Sequence, residues 1–469
     1  MSDGPSPQAT EGQHTGGVVA QHLVLILPST GEFDSRSYRI ARELLGRGHR
    51  VTMVARWQRG LARDELDPAG YWIIRVPVSA ADGLPFPRAV AVGRRSVRAF
   101  YEWRTGRRRS SRTEPSDSPA VSSPAPVAPR PPGRRASLPR RAWSTMIRRL
   151  AVPLAIRSHI RSARELAPAG DLYHGMAYMG IPIALDLGRR AGVPVVYDAR
   201  DIYLEARNLA RAGRLARWLA ARAERGWARR SDAVITVNDA YARVISESLH
   251  VPLPRVVMNC SYRFDPPVPR ERRFHVQFGL DPAARIVLYH GGLFPHRGID
   301  ELMAAMERLP SATLVLMGYG VLEPELRARA AESGRAGRIG LMGAVPPADL
   351  LAWVACADVV AMPIQPSTLN HRLTTPNKLF EAMAAGVPAV ASDLPGMAPI
   401  VRETGCGVLV DPTDPAVIAA GIQGVLDLSA EEWLAWSERC LEAAHRTYNW
   451  ESQVARLLEV YSDVTGRPW

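Results

Sequence analysis

Six short apolar runs in the second half of the chain, each followed by a helical segment, constrain the fold more than any other feature. They are RIVLYHGG from Arg285, ATLVLMGYG from Ala312, RIGLMG from Arg338, DVVAMP from Asp358, PAVASD from Pro388 and GVLVDP from Gly407. Strand–helix–strand alternation of this kind builds a parallel sheet. The first half repeats the pattern less regularly. HLVLILP from His22, a helical stretch from about Arg36 to Gly46 and VTMVAR from Val51 make one βαβ unit. YWIIRVPV from Tyr71, DLYHG from Asp171, PVVYDA from Pro194, DAVITVN from Asp232 and RVVMNC from Arg255 are further strand candidates. The proline- and charge-rich segment SYRFDPPVPRERRF from Ser261 reads as a linker between the halves. In open parallel sheets, ligands bind beyond the carboxyl ends of the strands, so a cleft between the two halves is the expected site.

Length and composition fit this organisation. The 469 residues suggest roughly two or three domains. Hydrophobic residues at 46% and charged residues at 22% exclude a mainly disordered chain. No run approaches the ~18–20 apolar residues of a membrane-spanning helix. The N-terminal stretch MSDGPSPQATEGQHTGG lacks the basic and apolar regions of a signal peptide, so a cytoplasmic chain is expected. The four cysteines, Cys260, Cys356, Cys406 and Cys440, form no CxxC pair or Cys/His cluster, and no metal site is expected.

The net charge of +13 comes almost wholly from arginine, because Lys378 is the sole lysine. That skew reads as a coding bias and weakens any argument for nucleic-acid binding. The Arg104–Arg141 segment carries ten arginines against Glu114 and Asp117, a net of +8, with almost no large apolar residue. It is expected to be a disordered basic insertion. A solvated linker is its plain reading. Electrostatic attachment to an anionic membrane surface is the alternative, with the chain peripheral on the inner face of the plasma membrane. The segment lacks the interleaved aromatics that stack on nucleic-acid bases, and no nucleic-acid partner is expected.

The sharpest local signal is TTPNKLFEAMAAGVPAVASDLPG from Thr374. Thr375 suits an N-cap and Pro376 the first helical position, giving a helix over Asn377–Ala385 that ends at Gly386. The unpaired amides of such a helix suit a diphosphate. Lys378 in the first turn opposes the helix dipole, and a bound anion would explain it. Glu381, on the same face, is placed to accept hydrogen bonds from ribose hydroxyls. A solvated Lys/Glu pair on an ordinary amphipathic helix is the alternative from this helix alone. HGGLFPHRGIDEL from His290 leaves a strand through paired glycines, and Arg297 there can offer a bidentate contact to phosphate. MGYG, Met317–Gly320, repeats the strand–glycine–helix arrangement.

Taken in order, these motifs resemble the C-terminal domain of a retaining GT-B glycosyltransferase of the family 4 type. YNWESQVARLLEVY from Tyr448 is similar to the family's last helix, which crosses back onto the first domain. The resemblance implies an α/β GT-B fold of two Rossmann-like doubly wound parallel-sheet domains facing across a cleft. It divides the chain into a disordered tail (1–20), an acceptor-binding domain (21–260), a linker (261–273), a nucleotide-sugar-binding domain (274–446) and a crossing helix (447–469).

The resemblance also implies site residues. Glu381 holds the ribose of a nucleotide sugar. Arg297 and Lys378, with amides near Gly291 and Gly292, hold its diphosphate and stabilise the leaving group. Gly318 belongs to the second glycine turn of the donor site. The Gly343–Val345 loop contacts the base, with Gly343 and Val345 at its ends, and Asn377 contacts the diphosphate or the sugar. In the first domain, LPSTGEFDSRSYRIARELLGRGHRVTMVA from Leu27 looks like the opening unit, with Gly31, Asp34 and Arg36 facing the cleft. VVYDARDIYLE resembles the segment lining the reaction centre, here Asp198, Arg200 and Asp201. DLYHGMA is similar to the family's His-x-His-Asp strand end, which makes His174 a catalytic candidate.

Three positions depart from the pattern. Leu373 replaces the first of two glutamates eight apart, Gly292 replaces an arginine and Met176 replaces the second histidine. The implied reaction is metal-independent retaining transfer of a sugar from a UDP- or GDP-linked donor, without cofactor. The acceptor hydroxyl would belong to a glycan or lipid-linked molecule in polysaccharide, glycolipid or cell-envelope synthesis. A sugar-nucleotide epimerase and a catalytically silent nucleotide-sugar-binding scaffold are the alternatives on this architecture.

Overall fold

The computed structural model describes residues 19–32, 34–79, 138–205, 213–332 and 338–469. The apolar runs form two sheets. The first contains β1 (His22–Ile26), β2 (Arg50–Arg56), β3 (Asp64–Leu66), β4 (Trp72–Val76), β5 (Leu172–Met176), β6 (Val195–Asp198), β7 (Ala233–Thr236) and β8 (Arg255–Val256). Its order is β3-β4-β2-β1-β5-β6-β7-β8. Every pairing is parallel except β3 on β4, at the edge. The second sheet contains β9 (Arg285–Gly292), β10 (Ala312–Tyr319), β11 (Ile339–Met342), β12 (Val359–Met362), β13 (Ala389–Ser392) and β14 (Gly407–Val410). It is all parallel, in the order β11-β10-β9-β12-β13-β14.

Both orders reverse direction at the first strand of the sheet, between β1 and β5 and between β9 and β12. Parallel strands covered by helices on both faces are buried on both faces, which is why they read as continuous apolar runs. Where the order reverses, the connections leave to opposite faces and open a crevice at the strand ends. Ser29, just beyond β1, and Gly291–Gly292, ending β9, therefore stand at the two crevices.

The segment 261–272 has no helix or strand, and the second domain opens with the Arg273–Phe278 helix. Phe274 is already fully buried in that domain's core. The last helix, Trp450–Thr465, returns to the first domain. Asn449 caps it by accepting from the Ser452 amide. Its Trp450, Val454, Leu457, Val460 and Tyr461 pack into the core built on Leu23, Leu25 and Leu27 of the first domain. Each such side chain contributes on the order of 1.5–3 kcal/mol by leaving water, so the crossing helix fastens the second domain to the first.

Several boundaries shift. The basic insertion falls outside the described residues up to 137, but a helix spans Leu138–Leu166, so the insertion ends before Arg141. Residues 1–18 of the expected tail also lie outside the described residues. Pro376, with extended backbone, is the N-cap of the Asn377–Ala384 helix and makes no capping bond. Thr375 does not cap it: its hydroxyl donates to the Gly396 carbonyl at 2.7 Å and accepts from Asn238 Nδ2 at 2.9 Å.

Candidate functional site

Gly291 leaves β9 with φ +105 and Gly318 lies beside it in β10, in register. A Cβ on Gly318 would stand 1.9 Å from the Gly291 carbonyl oxygen. The glycine at 318 is thus required for strand packing, and the residue is buried. It packs against the Gly291 turn. Gly298, at φ +75, ends the loop against the Pro363 carbonyl, and the helix Ile299–Met306 follows.

The Asn377–Ala384 helix lies beside this turn. Lys378 is buried at 8% exposure and its Nζ sits 3.6 Å from the centroid of the Tyr289 ring. A Cβ on Gly291 would meet the Lys378 Cε at 3.9 Å, so the lysine runs along the glycine turn. Burial, and then the charge of Arg297, push the ammonium down to about 7, with Glu381 opposing in part. One helical turn on, Glu381 accepts a hydrogen bond from His290 Nε2 at 2.8 Å. Burial alone would raise this carboxyl. The His290 bond, with the charges of His290, Arg39 and Lys378, outweighs it and holds Glu381 below the ordinary value. His290 is 2% exposed and its Nδ1 has no partner among the described residues. Sequence reading did not single it out. Its signal was a polar residue closing a buried strand directly before the paired glycines. Gly343 stands exposed at the open end of the domain, while Val345 packs partly on the core.

Across the cleft, Arg36 and Asp198 form a buried ion pair, Nε to Oδ2 at 2.6 Å, and Arg36 Nη1 donates to the Val257 carbonyl at 2.7 Å. Arg200 grips both oxygens of Asp34 from Nη1, at 2.9 and 3.1 Å. Asp34 also caps the Ser35–Gly46 helix through the Ser37 amide. Burial would raise the Asp34 carboxyl, but Arg200 and the Ser37 contacts hold it below its usual range. A cavity of about 370 Å³ opens here, lined by Asp34, Arg36, Arg200 and Asp201 of the first domain and by Thr375 and Asn377 of the second. The domains touch around it. Asn259 Nδ2 donates to Asn377 Oδ1 at 3.0 Å. Asn238 Nδ2 donates to the Leu373 carbonyl at 2.7 Å. Asn370 Oδ1 accepts from the Ile202 amide at 2.8 Å. Leu373, where the family pattern has a glutamate, is buried in the first domain's apolar cluster. Asn238, Asn259 and Asn370 are cleft-joining residues that the sequence motifs did not mark.

Three expected acceptor-side or catalytic residues are displaced. His174 is fully buried. Its Nδ1 meets the Tyr461 hydroxyl at 2.6 Å and its Nε2 lies 3.4 Å from Asp198 Oδ2. Burial lowers its pKa in spite of Asp198. The ring that was expected to be catalytic is thus enclosed beneath Asp198 and Tyr461 and does not line the cavity. Asp198 itself has no exposed surface and is covered by its ion pair with Arg36. Gly31 is buried, with its carbonyl accepting from the Tyr38 hydroxyl, and shapes the loop without lining the cavity. Among the described residues no group of three or more His, Cys, Asp or Glu side chains is placed to hold a metal, and no helix is long and apolar enough to cross a membrane.

Comparisons with known proteins bear on the family and the fold. Residues 284–427 match the family model of group 1 glycosyl transferases, and residues 104–260 match that of the glycosyl transferase 4-like domain. A D-inositol 3-phosphate glycosyltransferase of Xylanimonas cellulosilytica is 31% identical over 47% of this chain and 52% of its own length. A GDP-mannose-dependent alpha-(1-6)-phosphatidylinositol monomannoside mannosyltransferase of Mycobacterium tuberculosis is 28% identical over 48% and 60%. The chain thus spans about half the length of the curated relatives it matches. Among solved structures, sucrose-phosphate synthase from Thermosynechococcus elongatus superposes with a TM-score of 0.66 at 17% identity, covering 95% of this chain and 99% of that one. Anabaena HepE in complex with UDP-glucose gives 0.63 at 15% identity, covering 95% and 100%. Two parallel-sheet domains, the glycine turn with its buried lysine and glutamate, and the family matches in both halves lead to one assignment: the chain belongs to the GT-B glycosyltransferases of the family 4 type.

Proposed function

We propose that the protein transfers a sugar from a nucleoside diphosphate sugar to an acceptor hydroxyl. The observation that carries this reading is Lys378. A buried ammonium over an aromatic face, with no ion pair among the described residues, is incomplete without an anion. The donor diphosphate supplies it, held also by Arg297 and by the first amides of the Asn377–Ala384 helix, beside the Gly291–Gly292 turn. Glu381, oriented by His290, takes the ribose hydroxyls, and the Gly343–Val345 loop meets the base. HepE has been crystallised with UDP-glucose and the mycobacterial relative is named for GDP-mannose, which supports a UDP- or GDP-linked donor.

In this reading Arg297 and Lys378 stabilise the negative charge that grows on the leaving diphosphate. As the resemblance to retaining family 4 enzymes implies, the acceptor attacks from the face the diphosphate leaves. A leaving phosphate oxygen receives the acceptor proton, and the configuration is retained. The interdomain contacts of Asn238, Asn259 and Asn370 hold the two domains together beside the cavity. The acceptor belongs to a glycan or lipid-linked molecule of the cell envelope. The first domain also exposes Leu215, Trp218 and Leu219 on the Arg214–Ala228 helix, beside exposed Arg214 and Arg222. This mixed face favours peripheral attachment to an anionic membrane.

The test is incubation of the chain with UDP- and GDP-sugars, with and without glycoside acceptors, and anomeric analysis of products by NMR. Acceptor-dependent release of nucleoside diphosphate with a retained anomeric centre is expected. Conversion of the donor to another nucleotide sugar without acceptor would identify an epimerase instead.

A further inference from the structure

The two sides of the cleft hold their cations in opposite ways. On the second-domain side, Arg297 and Lys378 form no ion pair among the described residues. On the first-domain side, both arginines that line the cavity are already neutralised. Arg36 spends Nε and Nη2 on Asp198, at 2.6 and 3.3 Å, and Nη1 on a carbonyl. Arg200 is bidentate to Asp34. The lining carboxylates Glu32, Asp34 and Asp201 outnumber the lining guanidiniums Arg36 and Arg200. Asp198 adds a further carboxylate behind Arg36. Glu32 and Asp201 make no close ion pair among the described residues, although Asp201 feels the charges of Arg200 and, from the second domain, Arg297.

With Arg297 engaged by the donor diphosphate, a phosphomonoester in this cavity would meet cancelled positive charge on the first-domain side and the carboxylates of Glu32 and Asp201, which repel it. A hydroxyl meets the opposite situation. The carboxylates accept its proton in a charge-assisted bond, and Asn259 and Thr375 add neutral polar partners.

Resting on the glycosyltransferase reading above, we propose that the acceptor unit seated in this cavity is an uncharged polyol or sugar, and that a phosphomonoester on that unit is excluded. In this the chain parts from the relatives named for D-inositol 3-phosphate. Specificity lies in the two ion pairs. Asp34 and Asp198 occupy the arginines that would otherwise recruit a phosphate.

The full chain, saturated with whichever of UDP or GDP it binds, is titrated with D-inositol 3-phosphate while the phosphorus NMR resonance of the monoester is followed. The wild type is expected to leave the resonance unchanged at millimolar concentrations. Asp34→Asn frees Arg200 while keeping an N-cap side chain, and is expected to bind the phosphate at least about ten-fold more tightly. Saturable binding by the wild type that is lost in Arg200→Gln overturns the proposal. Equal, negligible binding by wild type and Asp34→Asn also overturns it, because cancelled charge would then not be the reason for exclusion. With donor present, methyl mannoside is expected to be a better acceptor than mannose 6-phosphate, and the reverse order contradicts the proposal. Failure of both nucleotides to bind is a different result. It removes the donor site and the glycosyltransferase reading, and the acceptor proposal falls with them.

Discussion

Lys378, the sole lysine of the chain, rests its ammonium 3.6 Å from the centre of the Tyr289 ring, at the end of the strand that leads into Gly291–Gly292. The ring face is a weak partner for a full charge. Burial is the larger influence, and it leaves the ammonium titrating near neutrality, at about 7. Arg297 adds to that shift through repulsion. An anion bound between the two cations reverses both effects.

A pH dependence of donor binding follows. The charged lysine binds the diphosphate, so binding raises its pKa and takes up a proton. A nucleotide sugar has no phosphate group titrating in this range. Its affinity should therefore fall by up to about ten-fold per pH unit above 7, until the raised pKa of the complex is reached. Calorimetry from pH 6.5 to 8.5 checks this. Lys378→Arg should flatten the profile, because arginine keeps its charge throughout.

Glu224 of the first domain is buried and accepts a 2.8 Å hydrogen bond from the Tyr197 hydroxyl. Burial raises its carboxyl from 4.5 to about 7. The folded state thus holds a proton that the unfolded state releases between those values, so this group makes stability fall as pH rises through that window. Glu224→Gln keeps an acceptor for Tyr197 and removes the titration. Chemical denaturation should show it more stable than wild type by roughly 1–3 kcal/mol at pH 8 and nearly equal at pH 4.5.

Tyr461→Phe removes the hydroxyl that meets His174 Nδ1 and leaves that buried nitrogen without a partner. The cost should be about 1–3 kcal/mol in a denaturant titration. Nucleotide affinity should be unchanged, because the donor residues lie in the other domain. A loss of nucleotide binding would mean that the crossing helix shapes the donor site directly.

Asp198→Asn leaves Arg36 with an uncompensated buried charge. Breaking such a pair typically costs about 3–5 kcal/mol. The double variant Asp198→Asn/Arg36→Met should recover much of that loss, as measured by thermal unfolding, because it removes the stranded cation as well.

What the sequence made legible was local. The strand runs, the Gly-Gly turn and the helix carrying Lys378 and Glu381 each follow from short-range pattern, and each stands where it was expected. The edge strand Asp64–Leu66 escaped because three exposed residues, two of them acidic, carry no apolar signal. Thr375 looked like a cap from its position, but a carbonyl twenty-one residues away claims its hydroxyl. The supporting partners were less legible still. His174 meets Tyr461 across 287 positions, Arg36 meets Asp198 across 162 and His290 meets Glu381 across 91. A motif marks which residues carry polar chemistry. Whether such a residue faces the cleft or lies beneath it is decided by packing between distant elements.

The most direct test of the account is calorimetric titration of the full chain with UDP, GDP and their sugars, alongside Glu381→Ala. The account predicts saturable binding of one nucleotide class and at least about a ten-fold loss in the variant, the scale of a charge-assisted hydrogen bond. Absence of binding to every nucleotide, or equal binding by the variant, would contradict the donor site built on Lys378, Glu381 and the Gly291–Gly292 turn.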